Sequence, residues 1–330
     1  MLLHRRRVLA GTPAAALLSS QAGRASADDA LASVRIITGF PSGGTSDTLC
    51  RQVAAGISGT SYAKAATVDN KVGQDGQLAV QTLKGAPNDG SVLLETPASV
   101  LILYPHVYKQ LGYDSFTDLT AVTLACTFDF GFAVGPAVPV SVKSVPDFLV
   151  WAKANPDKAT FGSPAAGSVS HFIGVLLGRS AGVKLRHTAY KGSPPAMQDL
   201  LAGKISAMSG PLGEFLVQAK AGKVRLLGVS GKARSRFAPD VPTFVEQGLT
   251  DMVFTEWFGF FAPGSASVPV VLAANAALRT ALKRQDVIDG LAKVALEATS
   301  STAEELALRL KADDERWGPL VRKVGFTPDS

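Results

Sequence analysis

At 330 residues with 46% hydrophobic side chains, the chain can bury a sizeable core and is long enough for two domains. Its formal charge of +6 is concentrated at the start: residues 1–27 hold four arginines (Arg5, Arg6, Arg7, Arg24) and no acid, so the remaining 303 residues carry only +2. With aromatics at 7%, this leaves no basis for a nucleic-acid surface, which interleaves basic and aromatic residues.

Residues 1–27 read as an export signal. A basic start precedes the apolar and small-residue run Val8 to Ser20, and Ala25-Ser26-Ala27 offers an A-x-A cleavage site. Arg6-Arg7-Val8-Leu9 also loosely fits a twin-arginine signal. The apolar run falls short of the roughly 20 residues that span a bilayer. The mature chain is therefore expected in the periplasm, with Cys50 and Cys126 as two buried free thiols. The four histidines lack helix-spaced partners and no HExxH or CxxC pattern occurs, so neither a metal site nor a cofactor is expected.

Val34, Ile36 and Ile37 mark a buried strand that runs towards Phe40. Pro41, Ser42, Gly43 and Gly44 then form a turn, and Thr45, Ser46 and Asp47 offer N-cap chemistry to a helix bearing Leu49, Val53 and Ile57 on one face. A strand, a glycine turn and a helix N-terminus aim free backbone N–H groups at one point, which suits an anion; the same residues also describe an ordinary βα turn. Further strands are expected at Ala65 to Asp69 and Ser91 to Glu95, with a helix between them over Gln77 to Lys84. Thr96-Pro97-Ala98-Ser99 is a second strand-to-helix turn. The alternation predicts a mostly parallel sheet with ligands off its carboxyl ends.

Leu119 to Ala125 and Gly131 to Val134 read as two apolar strands, with a domain crossing between them and the following helix, which a capping box at Ser144 and Asp147 should open. A second β/α series follows from Thr160 to Ser230. Its turn Gly162-Ser163-Pro164-Ala165-Ala166-Gly167-Ser168 leads into a helix with His171 three residues after Ser168. That spacing allows a Ser–His contact, but there is no GxSxG elbow, so a serine hydrolase using Ser168 and His171 stands only as the alternative to a non-enzyme. Tyr190 and Lys191 sit at a third such turn and suit an acid, or else a structural tyrosine beside a solvated lysine. Pro242-Thr243 should open a helix ending at Gly248, Glu256 to Pro263 is an aromatic strand returning to the hinge, and helices dominate from Val268. The last helix, Thr302 to Lys323, should pack on the first domain with Trp317 in the core.

Taken together, the pieces FPSGGTSD (40–47), TFGSPAAGSVSH (160–171), HTAYKGSPPAMQDLLAGK (187–204), GKVRLLGVS (222–230), APDVPTFVEQG (238–248) and WFGFFAPG (257–264) resemble, in order and spacing, the Bug-type extracytoplasmic solute receptors of the tripartite tricarboxylate transporter systems. The resemblance implies an α/β fold of the two-lobed type II periplasmic-binding-protein class, each lobe a mixed sheet flanked by helices, with a hinged cleft between them. Lobe one would be residues 28–125 plus 229–330, and lobe two residues 126–228. It further implies a monomer that captures a small carboxylate with backbone amides, hydroxyls and waters, then hands it to a two-subunit membrane permease or docks on a sensor protein. The implied contacts in lobe one are Phe40, Pro41, Ser42, Gly43, Gly44 and Ser46, joined by Thr96, Ala98 and Ser99. In lobe two they are Gly162, Ser163, Gly167, Ser168 and His171, with Tyr190 and Lys191 behind them. Where the family usually carries an acid after the YKG helix, this chain has Ser206, Ser209 and Gly210, with Ser209 counted among the contacts. The expected ligand is accordingly an acid lacking an ammonium group.

Overall fold

The computed structural model describes residues 30–328, so the expected export signal lies outside the described residues. The first part of the chain runs β1 (Val34–Thr38), α1 (Thr45–Ile57), β2 (Ala66–Asn70), α2 (Gln77–Lys84), β3 (Val92–Pro97), α3 (Ala98–Ile102), α4 (Tyr104–Val107) and β4 (Leu119–Val134). The middle comprises α5 (Val145–Ala154), β5 (Thr160–Ser163), α6 (Val169–Ser180), β6 (Arg186–Ala189), α7 (Ser193–Leu201), β7 (Ala207–Pro211), α8 (Gly213–Lys220) and β8 (Arg225–Val229). The last part is β9 (Thr255–Pro263), α9 (Val268–Leu282), α10 (Gln285–Ala292), β10 (Glu297–Ala298) and α11 (Ala303–Val324).

Two sheet regions share one strand. In the first region β1 lies between β2 and β3, all parallel, and β9 runs antiparallel between β3 and β4. In the second, β5 pairs in parallel with β6 and β7, while β7 and β8 run antiparallel to β4. The two apolar runs at 119–125 and 131–134 are thus a single 16-residue strand. Its middle stays apolar and alternating, with Phe128 and Phe130 buried and their ring centroids 5.5 Å apart, so nothing in the sequence breaks it. β4 passes from one partner to the other between Asp129, opposite Thr255, and Phe130, opposite Pro211.

Ser230 staples this crossing. Its buried hydroxyl donates to the carbonyl of Phe254 and accepts the N–H of Phe130 at 2.8 Å, while Phe254 N–H donates to Ser230 O at 2.9 Å. Three passages of chain are thereby tied at one buried side chain.

The core follows the expected patterns. Val34, Ile36, Ile37, Leu49, Val53 and Ile57 are buried between β1 and α1, each worth about 1.5–3 kcal/mol when fully withdrawn from water. Ser144 and Asp147 form the capping box of α5, and Thr302 with Glu305 forms one on α11. The expected helix before Gly248 is only a 3₁₀ turn, Val245–Gln247, which Gly248 ends at φ +86°. Trp317 is buried as expected, yet its neighbours are not confined to the first sheet region. Its ring lies 5.4 Å from that of Phe172 on α6, and Phe326 lies 5.0 Å from the Phe172 ring. Cys50 and Cys126 are both buried and free.

Candidate functional site

The turn after β1 is locked from within. Asp47 accepts the Gly43 N–H at 3.0 Å, the Ser42 hydroxyl at 3.1 Å, Asn70 Nδ2 at 3.0 Å and Arg51 Nε at 2.9 Å. Burial alone would raise the Asp47 carboxyl, but Arg51 and these donors outweigh it and hold it below the usual carboxylate range. Ser42 and Gly43, expected to face a ligand, spend their donors on this internal carboxylate instead. The N-cap of α1 is Gly44, which has no side-chain cap, rather than one of the three polar residues after it.

What caps α1 comes from the other sheet region. Glu214, at the start of α8, accepts the Thr45 N–H at 2.8 Å, and the hydroxyls of Thr45 and Ser193 also favour its charged form. Burial still raises its carboxyl above the ordinary glutamate range. A second glutamate stands at the second turn: Glu256 on β9 accepts the Ser99 N–H at 2.6 Å. Burial pushes Glu256 up to about 7 against the Ser99 donors, and Asp313 adds to the rise. Beneath α1 a third, Glu95, accepts from Thr38 at 2.7 Å and from the hydroxyl of Ser46, and burial takes it to about 7 as well.

Between the two regions lies a cavity with an aromatic and prolyl wall. Phe40, Pro41, Tyr104, Phe128, Phe130 and Phe258 are among its apolar lining residues. Gly44, Thr45, Ser46, Ser99, Ser168, Ser170 and Ser193 supply its small polar groups, and Glu214 and Glu256 are its only carboxylates among the described residues. Among the described residues, neither lysine nor arginine lines it. Of the expected contacts, the structure brings together here Phe40, Pro41, Gly44, Ser46, Ser99 and Ser168.

The others are placed elsewhere. Thr96 is buried within β3, one residue before its end, and Ala98 packs in the core as the first residue of α3. Ser163 is fully buried; its hydroxyl donates to Ala165 O at 3.0 Å and meets His187 Nε2 at 2.8 Å. His187 stacks on His171 with centroids 3.5 Å apart, and burial together with that neighbour takes it down to about 3, so it stays neutral. His171 Nδ1 accepts the Gly167 N–H at 3.2 Å. Gly167 carries φ +71° against Tyr108, and Gly162 packs on Tyr190. The Tyr190 hydroxyl donates to Asp199 at 2.9 Å, away from the cavity, and Lys191 borders a separate shallow depression beside Asp75. Ser209 is fully buried in β7 opposite Phe132, with no partner for its hydroxyl, and does not line the cavity.

Ser168 and His171 do not make a nucleophile and base. The serine hydroxyl donates to Ala165 O at 2.8 Å and accepts the backbone N–H of His171, which makes it the N-cap of α6. The sequence also missed the acids of the cavity. A glutamate inside the aromatic strand EWFGFF was the legible signal for Glu256, since alternation puts it on the same face as Phe258. The cleft is therefore not without an acid, contrary to what Ser206, Ser209 and Gly210 suggested.

Two further contacts span the cleft. Asp75 accepts the Ala166 N–H at 3.2 Å and lies 3.1 Å from the Tyr108 hydroxyl. Gly192 abuts Pro41.

A cleft between two sheet regions, walled by turns and helix N-termini, defines a solute-binding receptor of the periplasmic-binding-protein class. The chain belongs to the tripartite tricarboxylate transporter receptor family, whose TctC model matches residues 49–326. A UPF0065 protein from a tcbD–tcbE intergenic region of a Pseudomonas species is 33% identical over 320 residues, covering 96% of this chain and 94% of that protein. Among solved structures, an R. palustris protein with adipate superposes with a TM-score of 0.84 at 26% identity, covering 89% of this chain and 98% of that one. MatC from Rhodopseudomonas palustris with bound malate gives a TM-score of 0.81 at 26% identity, covering 88% and 98%.

Proposed function

We propose that this chain is an exported receptor that captures a small carboxylate in the cleft between its two lobes and delivers it to a two-subunit membrane permease. The observation that carries the reading is Glu214: a carboxylate supplied by the chain itself is held between the lobes by the Thr45 N–H and the Ser193 hydroxyl. The donors that grip it are the kind that grip a carboxylate ligand. A helix N-terminus adds about 0.3–1 kcal/mol for a nearby anion, and up to about 2 when partly buried. Hydrogen bonds to a charged acceptor add about 1.5–3 kcal/mol each. Ligand release would follow reopening, and a permease would read closure as the loaded state.

The malate and adipate bound by the two relatives support carboxylates as the ligand class. No helix among the described residues is long and apolar enough to cross a membrane, so transport would need a separate permease. Calorimetric titration of residues 28–330 with a panel of small mono-, di- and amino-carboxylates tests the reading. Saturable 1:1 binding by at least one, with a raised thermal midpoint, is expected. Absence of heat and of stabilisation across the whole panel would sink it.

A further inference from the structure

The acids in this cleft bear on what the ligand carries besides its carboxylate. Glu214 and Glu256 reach the cavity from opposite lobes, one from α8 and one from β9, and among the described residues no lysine or arginine lines the walls to offset them. Backbone N–H groups and hydroxyls hold both, from Thr45 and Ser193 for Glu214 and from Ser99 for Glu256, and neither is paired with a basic side chain among the described residues. Around them stand Phe40, Tyr104, Phe128 and Phe258, whose ring faces attract a cation and whose bulk excludes water. A dianion entering this space would meet two resident acids and no counter-charge. A guest bearing a protonated amine would supply the missing charge.

We propose that the ligand is a small zwitterion, a carboxylate joined through an apolar body to a protonated amine, with the amine seated between Glu214 and Glu256. This rests on the carboxylate-receptor reading and narrows it. The carboxylate end is left to Ser170 on the α6 side of the cavity, while the apolar body lies along the phenylalanine wall. Burial pushes Glu256 up to about 7 and raises Glu214, so a nearby positive charge would relieve both. An arriving ammonium favours the ionised form of both and is bound as an ion pair out of reach of water.

Four probes of matched length test the proposal: 6-aminohexanoate, adipate, hexanoate and hexylamine, titrated calorimetrically into the intact mature protein. The expected result is that 6-aminohexanoate binds at least about tenfold more tightly than adipate or hexanoate. Glu214→Gln and Glu256→Gln should each shrink that preference, mainly by improving adipate. Hexylamine binding with no binding of any acid would uphold the amine seat while refuting the carboxylate reading. Adipate or hexanoate binding as tightly as 6-aminohexanoate, a preference unchanged in both variants, or no binding of either amine would overturn the proposal.

Discussion

Gly192 and Pro41 meet across the cleft so closely that a Cβ built on Gly192 would lie 2.4 Å from Pro41 Cδ. Gly192 also holds φ +97°, a backbone conformation that side chains disfavour. Gly192→Ala should therefore prop the lobes apart. Weaker ligand affinity, by about tenfold or more, and a larger radius of gyration in small-angle scattering are expected, with a folded circular-dichroism spectrum retained. An unchanged radius and affinity would show that this contact does not limit closure.

Stability should decline from acid to neutral pH. Glu95 and Glu256 stand near 7 when folded against an ordinary value of 4.5, so between those values the folded state binds more protons than the unfolded state. Stability from both groups is fully present below about 4.5 and is lost as pH rises through 7, amounting to about 3 kcal/mol each. Glu95 is surrounded by Thr38, Ser46 and Cys50, and the charge of Asp47 raises it further. Urea midpoints should fall between pH 5 and pH 8, and Glu95→Gln should flatten part of that slope. A midpoint that rises over this range contradicts the assignment.

Ser168→Ala separates a capping role from a catalytic one. Loss of the bond from the His171 N–H should cost about 0.5–2 kcal/mol of stability, read from the urea midpoint. Ester-probe turnover should be absent before and after the change. Turnover in the parent that disappears in the variant would point to a nucleophile.

Ser230→Ala leaves the buried Phe130 N–H without its acceptor, at a cost of about 1–3 kcal/mol. Amide exchange should quicken locally at Phe130 and Phe254 before it quickens in β1 or β5. Uniform acceleration would mean that Ser230 holds the whole fold rather than the crossing.

The order of strands and helices was legible because it rests on patterns local to each segment. The apolar run of β1, the capping box at Ser144 and the buried Trp317 all read correctly from spacing. The continuity of β4 was missed since Cys126 to Phe130 looked like a boundary, when the alternation of Phe128 and Phe130 carries the strand through. Half of the cavity wall was legible, as turns at the carboxyl ends of strands. The rest was not, because it depends on pairings at long range. Nothing near Thr45 announces that Glu214, 169 residues later, will cap it. Likewise the hydroxyls of Ser42 and Ser163 looked available until Asp47 and His187 claimed them.

The shared strand β4 has a mechanical consequence. Because one unbroken ribbon serves both sheet regions, the protein has no slack tether at that passage. Any movement of one region against the other must therefore pass through hydrogen-bonded backbone at Asp129 and Phe130, where the ribbon changes partners.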